Sequence, residues 1–183
     1  MSPTGYIITL VVILLLWLVL LYNGLIRWRN TVAAAWAQID VQLKRRYDLI
    51  PNLVEAVRGY ARHEREVFET VTRARAEALA AGTPRDVAEA DRHLAPAIRS
   101  LFAVAEAYPQ LKADRNYRDL MEELTATENR VAFARQYYND SVRVYNTKIQ
   151  QFPAALIAGR LRFAPADYLE ADAVQREVQQ VTF

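Results

Sequence analysis

Two histidines, His63 and His93, are the only imidazoles this chain can offer to a metal ion or a proton transfer. His63-Glu64 supplies the first half of a zinc-protease signature, which needs a second histidine one helical turn later, but that position is Val67. Di-metal helical bundles bind through repeated Glu-x-x-His pairs, and neither histidine has a glutamate three residues before it. Solvated or capping histidines are therefore expected, with no metal and no cofactor. A phosphate-cradling loop needs clustered glycines, whereas Gly5, Gly24, Gly59, Gly82 and Gly159 are scattered. No Gly-x-Ser-x-Gly elbow occurs around Ser2, Ser100 or Ser141. The absence of cysteine excludes disulfides, thiolate metal sites and cysteine nucleophiles. No catalytic residues are expected.

The more informative polar residues lie among apolar ones. Apolar residues recur in alternating steps of four and three, and the same count puts Arg46 and Glu64 on a first seam and Glu128 and Arg135 on a third. Charges at such positions are costly unless paired. Along an ideal helix Arg46 and Glu64 are about 27 Å apart, and Glu128 and Arg135 about 10 Å. Both pairs cannot close between the same two helices. One direct cross-helix pair at most is expected, with the other charges using Asn, Tyr or a neighbouring subunit. Fixing helix register is the expected role, and a ligand or partner site is the alternative. Tyr138-Asn139 and Tyr145-Asn146 repeat after seven residues and so share one helix face. Tyrosine can bury its ring while its hydroxyl finds a partner, and asparagine can bridge helices, so a polar ladder in the core is expected.

The elements that position these residues begin with a membrane span. Gly5 to Ile26 carries no charge, and Ile7 to Leu21 is apolar apart from Thr9. About 22 residues at roughly 1.5 Å each reach about 33 Å, enough for a hydrocarbon core of about 30 Å. Tyr6 and Tyr22 are placed to anchor its two ends, followed by Arg27, Trp28 and Arg29 at the lipid surface. No Lys or Arg precedes the apolar run and no small-x-small site follows it, which favours an uncleaved anchor over a signal peptide. Arg27, Arg29, Lys44, Arg45 and Arg46 follow the span, so the positive-inside rule leaves the N-terminus outside and the bundle in the cytoplasm. The formal net charge of +2, with arginines spread and mostly offset by glutamates, signals no nucleic-acid partner.

Beyond the span, a first seam runs through Val32, Trp36, Ile39, Leu43, Ile50, Leu53, Val57, Tyr60, Val67 and Val71. A repeat of 3.5 sustained so far predicts a helix packed at small crossing angles. Nothing breaks the helix between Ile26 and Val32, and Pro51 predicts a kink near Tyr47–Ile50. Gly82, Thr83 and Pro84 predict a helix end, a cap and a new start, with Gly82 left-handed. The second helix carries Val87, Leu94, Ile98, Leu101, Ala105 and Tyr108, with Pro96 a place to kink or divide. A third runs from near Asp114 to about Phe152. The expected fold is all-α: a transmembrane helix continuous with an elongated up-and-down bundle of three long helices, with room for a fourth, short one. The expected divisions are residues 1–5 outside the membrane, 6–26 across it, 27–152 as the bundle, and 153–183 as short helices or irregular tail.

The stretch Ile39-Asp40-Val41-Gln42-Leu43-Lys44-Arg45-Arg46-Tyr47-Asp48-Leu49-Ile50-Pro51-Asn52-Leu53-Val54 closely resembles the signature of the LemA family of bacterial membrane proteins. Gly59-Tyr60-Ala61-Arg62-His63-Glu64, Ala74-Arg75, Ala107-Tyr108-Pro109-Gln110, Glu128-Asn129-Arg130, Tyr138-Asn139, Tyr145-Asn146 and Phe152-Pro153 continue it. The resemblance spans about Tyr22 to Phe163. It implies a helical bundle on a single N-terminal anchor and no established biochemical activity. Some relatives are associated with shaping intracellular membranes or are encoded beside membrane proteases.

A non-enzymatic single-pass membrane protein acting through protein contacts is the function these readings support. Its partners are membrane lipids and other copies of itself in a homo-oligomer that organises or shapes membrane. An adaptor or regulator of another membrane protein, such as a protease, is the alternative, and an enzyme with an unfamiliar site is a third.

Overall fold

The computed structural model describes residues 3–169; residues 1–2 and the last part of the expected C-terminal tail, 170–183, lie outside the described residues. The described chain is helical, with no strand. Its helices are α1 (Pro3–Arg58), α2 (Arg65–Ala80), α3 (Pro84–Glu106), α4 (Pro109–Ala113), α5 (Arg115–Gln150) and α6 (Ala155–Ala158). The chain divides into two compact units. Among the described residues, unit 1 takes 3–37 and 137–167, and unit 2 takes 38–136 and 168–169.

α1 carries the apolar segment and continues past it, as the lack of a breaker between Ile26 and Val32 predicts. The large side chains from Ile7 to Leu16 are between 47% and 69% exposed, so the protein itself leaves this face uncovered. Thr9, the one polar residue of the run, turns its hydroxyl back to the Gly5 carbonyl at 3.0 Å, which satisfies it within the helix. The helix is long and apolar enough to cross a membrane.

In unit 2, α1 buries Ile39, Leu43, Ile50, Leu53 and Val57 on the predicted seam. The seam does not continue as one helix to Ala80: α1 ends at Arg58, and Gly59–Glu64 turns the chain back into α2. Glycine is poor in helix interiors, and the turn closes when the Tyr60 and Ala61 N–H groups both donate to the Val57 carbonyl, at 3.0 and 2.9 Å. Folding back buries Phe68, Val71, Ala74 and Ala78 of α2. The Arg58 guanidinium lies over the Phe68 ring at 5.4 Å, while farther along α2 Arg75 reaches Tyr47, so the two helices run antiparallel. Tyr60 is exposed in the turn rather than on the seam. The count does not carry across the turn: Ala61 and Phe68 are buried where it expected Tyr60 and Val67, and only Val71 keeps its place.

Neither internal proline divides its helix. α1 runs through Pro51 and α3 through Pro96, each on an exposed face. Pro51 has no N–H for the Tyr47 carbonyl four residues earlier. Arg75 of α2 supplies the missing donor, its Nε–H reaching that oxygen at 2.6 Å. A second chain segment thus repairs the hydrogen bond that proline removes.

Thr83 caps α3 as expected, in a reciprocal box: its hydroxyl accepts from the Asp86 N–H at 3.2 Å and its own N–H donates to the Asp86 carboxylate at 3.3 Å. Gly82 is not left-handed; no described glycine has positive φ. Asp114 caps α5 by accepting the Tyr117 N–H at 3.0 Å, and its other oxygen accepts from the Tyr60 hydroxyl at 3.3 Å. α5 stops at Gln150, so Phe152 leaves the predicted seam and is 82% exposed. After α6 the chain turns in a Schellman arrangement: the Phe163 N–H donates to Ala158 O at 3.0 Å and the Arg162 N–H to Gly159 O at 3.3 Å. Arg162 takes the left-handed position, φ 58, rather than Gly159.

Candidate functional site

The seam charges meet in unit 2 around an aspartate that the apolar count passes over. Val87 and Leu94 of α3 are seven apart, and Asp91 stands at the omitted position between them, four after one and three before the other. The same omission marks Arg46 between Leu43 and Ile50, and Arg135 between Val131 and Tyr138. Asp91 accepts from Arg46 Nη1 at 2.7 Å through one oxygen and from Arg135 Nη2 through the other. Arg46 Nε lies 2.7 Å from Glu128 Oε1. One acid on α3, one on α5 and a base on each of α1 and α5 therefore form one cluster.

A single direct contact links the two predicted seams, Arg46 to Glu128. Arg135 turns to Asp91 rather than to an Asn or Tyr, and Arg46 meets Asp91 as well. Glu64 is not part of the cluster; it stands at the N-cap of α2, in the turn that ends α1. On Asp91 burial alone would raise the carboxyl, but the guanidinium of Arg46 and that of Arg135 outweigh it and hold it below its ordinary range. Burial pushes the Glu128 carboxyl above its usual value more than Arg46 lowers it. Tyr47, packed beside the cluster, is pushed up to about 12 by burial and then by the Asp91 charge. The arrangement can hold α1, α3 and α5 in one register, since a shift of any of them strands a buried charge.

Beside the cluster, α3 and α5 border a groove of about 240 Å³. Arg46 and Glu128 lie at its polar end, Ile98, Phe102, Met121 and Leu124 form apolar walls, and Arg99 also lines it. Among the described residues no three His, Cys, Asp or Glu side chains are grouped to hold a metal ion. His93 is exposed and faces Glu77 at 3.0 Å, and His63 is exposed near the start of α2.

The tyrosines and asparagines of the third seam do different work in unit 1. Tyr138, Tyr145 and Asn146 reach the chain that follows α6. Tyr145 donates to Ala164 O at 3.0 Å and Tyr138 to Asp167 O at 2.8 Å. Asn146 donates to Ala166 O and accepts from the Ala166 N–H, both at 2.9 Å. Backbone groups of the extended segment after Phe163 thus find on α5 the partners that a neighbouring strand would otherwise supply. Asn139 is half-buried on the same face. The sequence showed the face but not what lay on it, because the clasped residues, Ala164-Pro165-Ala166-Asp167, carry no periodic signal.

The expected membrane-interface residues also fall in unit 1. Tyr6 is exposed, and Tyr22, exposed on one side, meets the buried Phe163 edge to face at 5.8 Å. Arg29 lies over the same ring at 5.5 Å, Arg27 is exposed and Trp28 half-buried. Trp36 packs on Tyr138 at 5.5 Å, so unit 1 is tied to α1 at two levels.

These sites can be set beside known proteins. Magnetosome protein MamQ 2 of Paramagnetospirillum magneticum is 25% identical over 179 residues, covering 84% of this chain and 66% of the relative. Magnetosome protein MamQ of Magnetospirillum gryphiswaldense is 24% identical over 177 residues, covering 82% and 65%. Protein LemA of Metamycoplasma hominis is 24% identical over 155 residues, covering 84% and 71%. The chain thus spans just under two thirds of the length of the magnetosome relatives it matches. A family model described as the LemA family matches residues 35–183, a range that holds the whole ion cluster, the groove and the clasped segment. With the greater part of its length inside that match, this chain belongs to the LemA family.

Proposed function

We propose that this chain is a single-pass membrane protein whose helical domain works through protein contacts rather than catalysis, first of all through contacts with its own copies. The observation that carries the reading is the passage of α1, without a break, from an uncovered apolar segment into a stretch where Tyr22 packs on Phe163 and Trp36 on Tyr138. A flexible tether would let the domain float. A rigid one makes the arrangement of neighbouring domains and the shape of the membrane depend on each other. The named relatives include magnetosome proteins, and their names give no reaction.

Arg27 and Arg29 carry the orientation argument, with the N-terminus outside and the remainder in the cytoplasm of a bacterial cell. Arg46, by contrast, is neutralised by Asp91 and Glu128, and Arg45 pairs with Glu123. Sedimentation of the full chain in mild detergent tests the self-association. A discrete oligomer larger than a dimer is expected. A monomer at every concentration would overturn it and leave the adaptor reading, in which another membrane protein is the partner.

A further inference from the structure

Unit 1 leaves a second apolar surface uncovered, besides the α1 segment. Around α6, Ala154, Ala158 and Phe163 turn inward and are buried. Phe152 and Leu156, one turn apart, face outward at 82% and 67% exposure, and Leu161 follows at 42%. A helical turn that is apolar on both sides is built for burial on both sides, yet the chain covers only one. The location of this surface is fixed by Phe163, whose ring meets Tyr22 at the end of the apolar segment and lies under Arg29.

The charge around it has one sign. Arg160 and Arg162 flank Leu161, and Arg27, Arg29 and Lys148 are exposed in the same unit. No Asp or Glu occurs in residues 1–37 or 141–166; the acids of the unit, Asp140 and Asp167, stand near the two ends of its second stretch, with Asp140 3.5 Å from Arg143. Apolar side chains amid cations with no acid suit an anionic lipid surface, where the rings and aliphatic groups enter the acyl boundary and the guanidinium groups stay among the headgroups.

We propose that Phe152–Arg162 is a second membrane contact, inserting Phe152, Leu156 and Leu161 into the anionic face of the bilayer that α1 crosses. This rests on the reading of α1 as a membrane span. The contact gives the membrane two points of attachment on one rigid unit, one spanning and one interfacial, and so fixes how unit 1 is rotated about α1. Continuity with the span and the one-signed charge favour lipid over a protein partner.

The absence of cysteine allows single fluorescent labels on the full chain. Leu156→Cys, Trp17→Cys and Tyr137→Cys, each carrying an environment-sensitive dye, are reconstituted into vesicles of phosphatidylcholine and phosphatidylglycerol. Nitroxide-bearing lipids then report contact with the bilayer, and aqueous iodide reports exposure. Position 17 samples the span; position 137 lies on α5 about 18 Å along the helix from Ile149, away from the proposed contact. Lipid quenching at 156 approaching that at 17, with little at 137, is expected. Adding Arg160→Glu and Arg162→Glu should abolish most of the quenching at 156 and leave position 17 unchanged. If 156 behaves like 137 while 17 is quenched, the second contact is wrong and the span stands. If 17 is not quenched, the span falls and this contact with it. Shielding of 156 from iodide without lipid quenching would assign the surface to a protein, and quenching unaffected by the charge reversals would overturn the anionic-lipid assignment.

Discussion

Arg75→Ala, Pro51→Ala and the double variant form a cycle that isolates the hydrogen bond between two distant parts of unit 2. The Tyr47 carbonyl has no intrahelical donor because residue 51 is proline, and Arg75 Nε meets it at 2.6 Å. A hydrogen bond from a charged donor contributes about 1.5–3 kcal/mol. The Arg75 side chain is 27% exposed and its contact with Asp48 is long, at 3.9 Å, so the lower end applies and the ion pair adds little. Arg75→Ala is therefore expected to cost about 1.5 kcal/mol. Pro51→Ala restores an N–H and removes a clash whose cost in a helix interior is about 3 kcal/mol, so it should stabilise. With that N–H in place Arg75 has less to supply, and its removal should cost about 0.5 kcal/mol, a coupling of about 1 kcal/mol. Urea unfolding of the full chain in detergent, followed by far-UV circular dichroism, reads all four corners. Additivity within about 0.3 kcal/mol would refute the reasoning, since it would mean that Arg75 and the missing N–H do not serve the same oxygen.

The ion cluster makes unequal demands on its two acids. Asp91→Asn leaves two buried guanidinium groups short of charge and should cost about 3 kcal/mol, whereas Glu128→Gln, at a side chain 43% exposed, should cost under about 1 kcal/mol; equal costs in the same unfolding assay would remove Asp91 from the centre. Because the Asp91 carboxyl is held below its ordinary 3.8, its contribution is complete above pH 3.8 and disappears as pH falls through the lower folded value, an acid dependence that Asp91→Asn should abolish. Tyr47 acts at the other end of the scale: raised from 10.0 to about 12, it contributes fully below pH 10 and loses that contribution as pH climbs towards 12, so Tyr47→Phe should flatten stability in that window. Asn146→Ala removes both partners of Ala166 and should speed amide exchange at Ala166 and its neighbours without altering unit 2; unchanged protection there would mean that the clasp is not what orders the segment.

Much of the fold was legible because it rests on periodicity. The apolar run of α1, the absence of a breaker after Ile26 and the box at Thr83 are local signals, and each produced the element it predicts. The α1–α2 turn was hidden because apolar residues continue on both sides of it at helical spacing, and only Gly59 hinted at it. Pro51 predicted a kink and Pro96 a kink or a division; both helices run on through the proline, and the donor that serves the stranded Tyr47 carbonyl, Arg75, lies 28 residues away in sequence. In the cluster, the signal for Arg46, Glu128 and Arg135 was the same as for Asp91: a polar residue where the count of fours and threes requires an apolar one. Counting apolar residues alone skips that position. What no count could provide is the clasp, since the backbone of Ala164 and Ala166 bears the polar groups and their side chains are mute.

The account depends most on the rigidity with which α1 joins the membrane to unit 1. A short Gly/Ser insertion after Trp28 would break that helix between the apolar segment and Trp36. Vesicles carrying the full chain at high surface density, imaged by electron cryomicroscopy, provide the comparison. Ordered patches or altered curvature with the unmodified chain, lost on insertion while the protein stays in the membrane, is the predicted result. Vesicles that look the same with both chains would contradict the account and leave α1 as a tether alone.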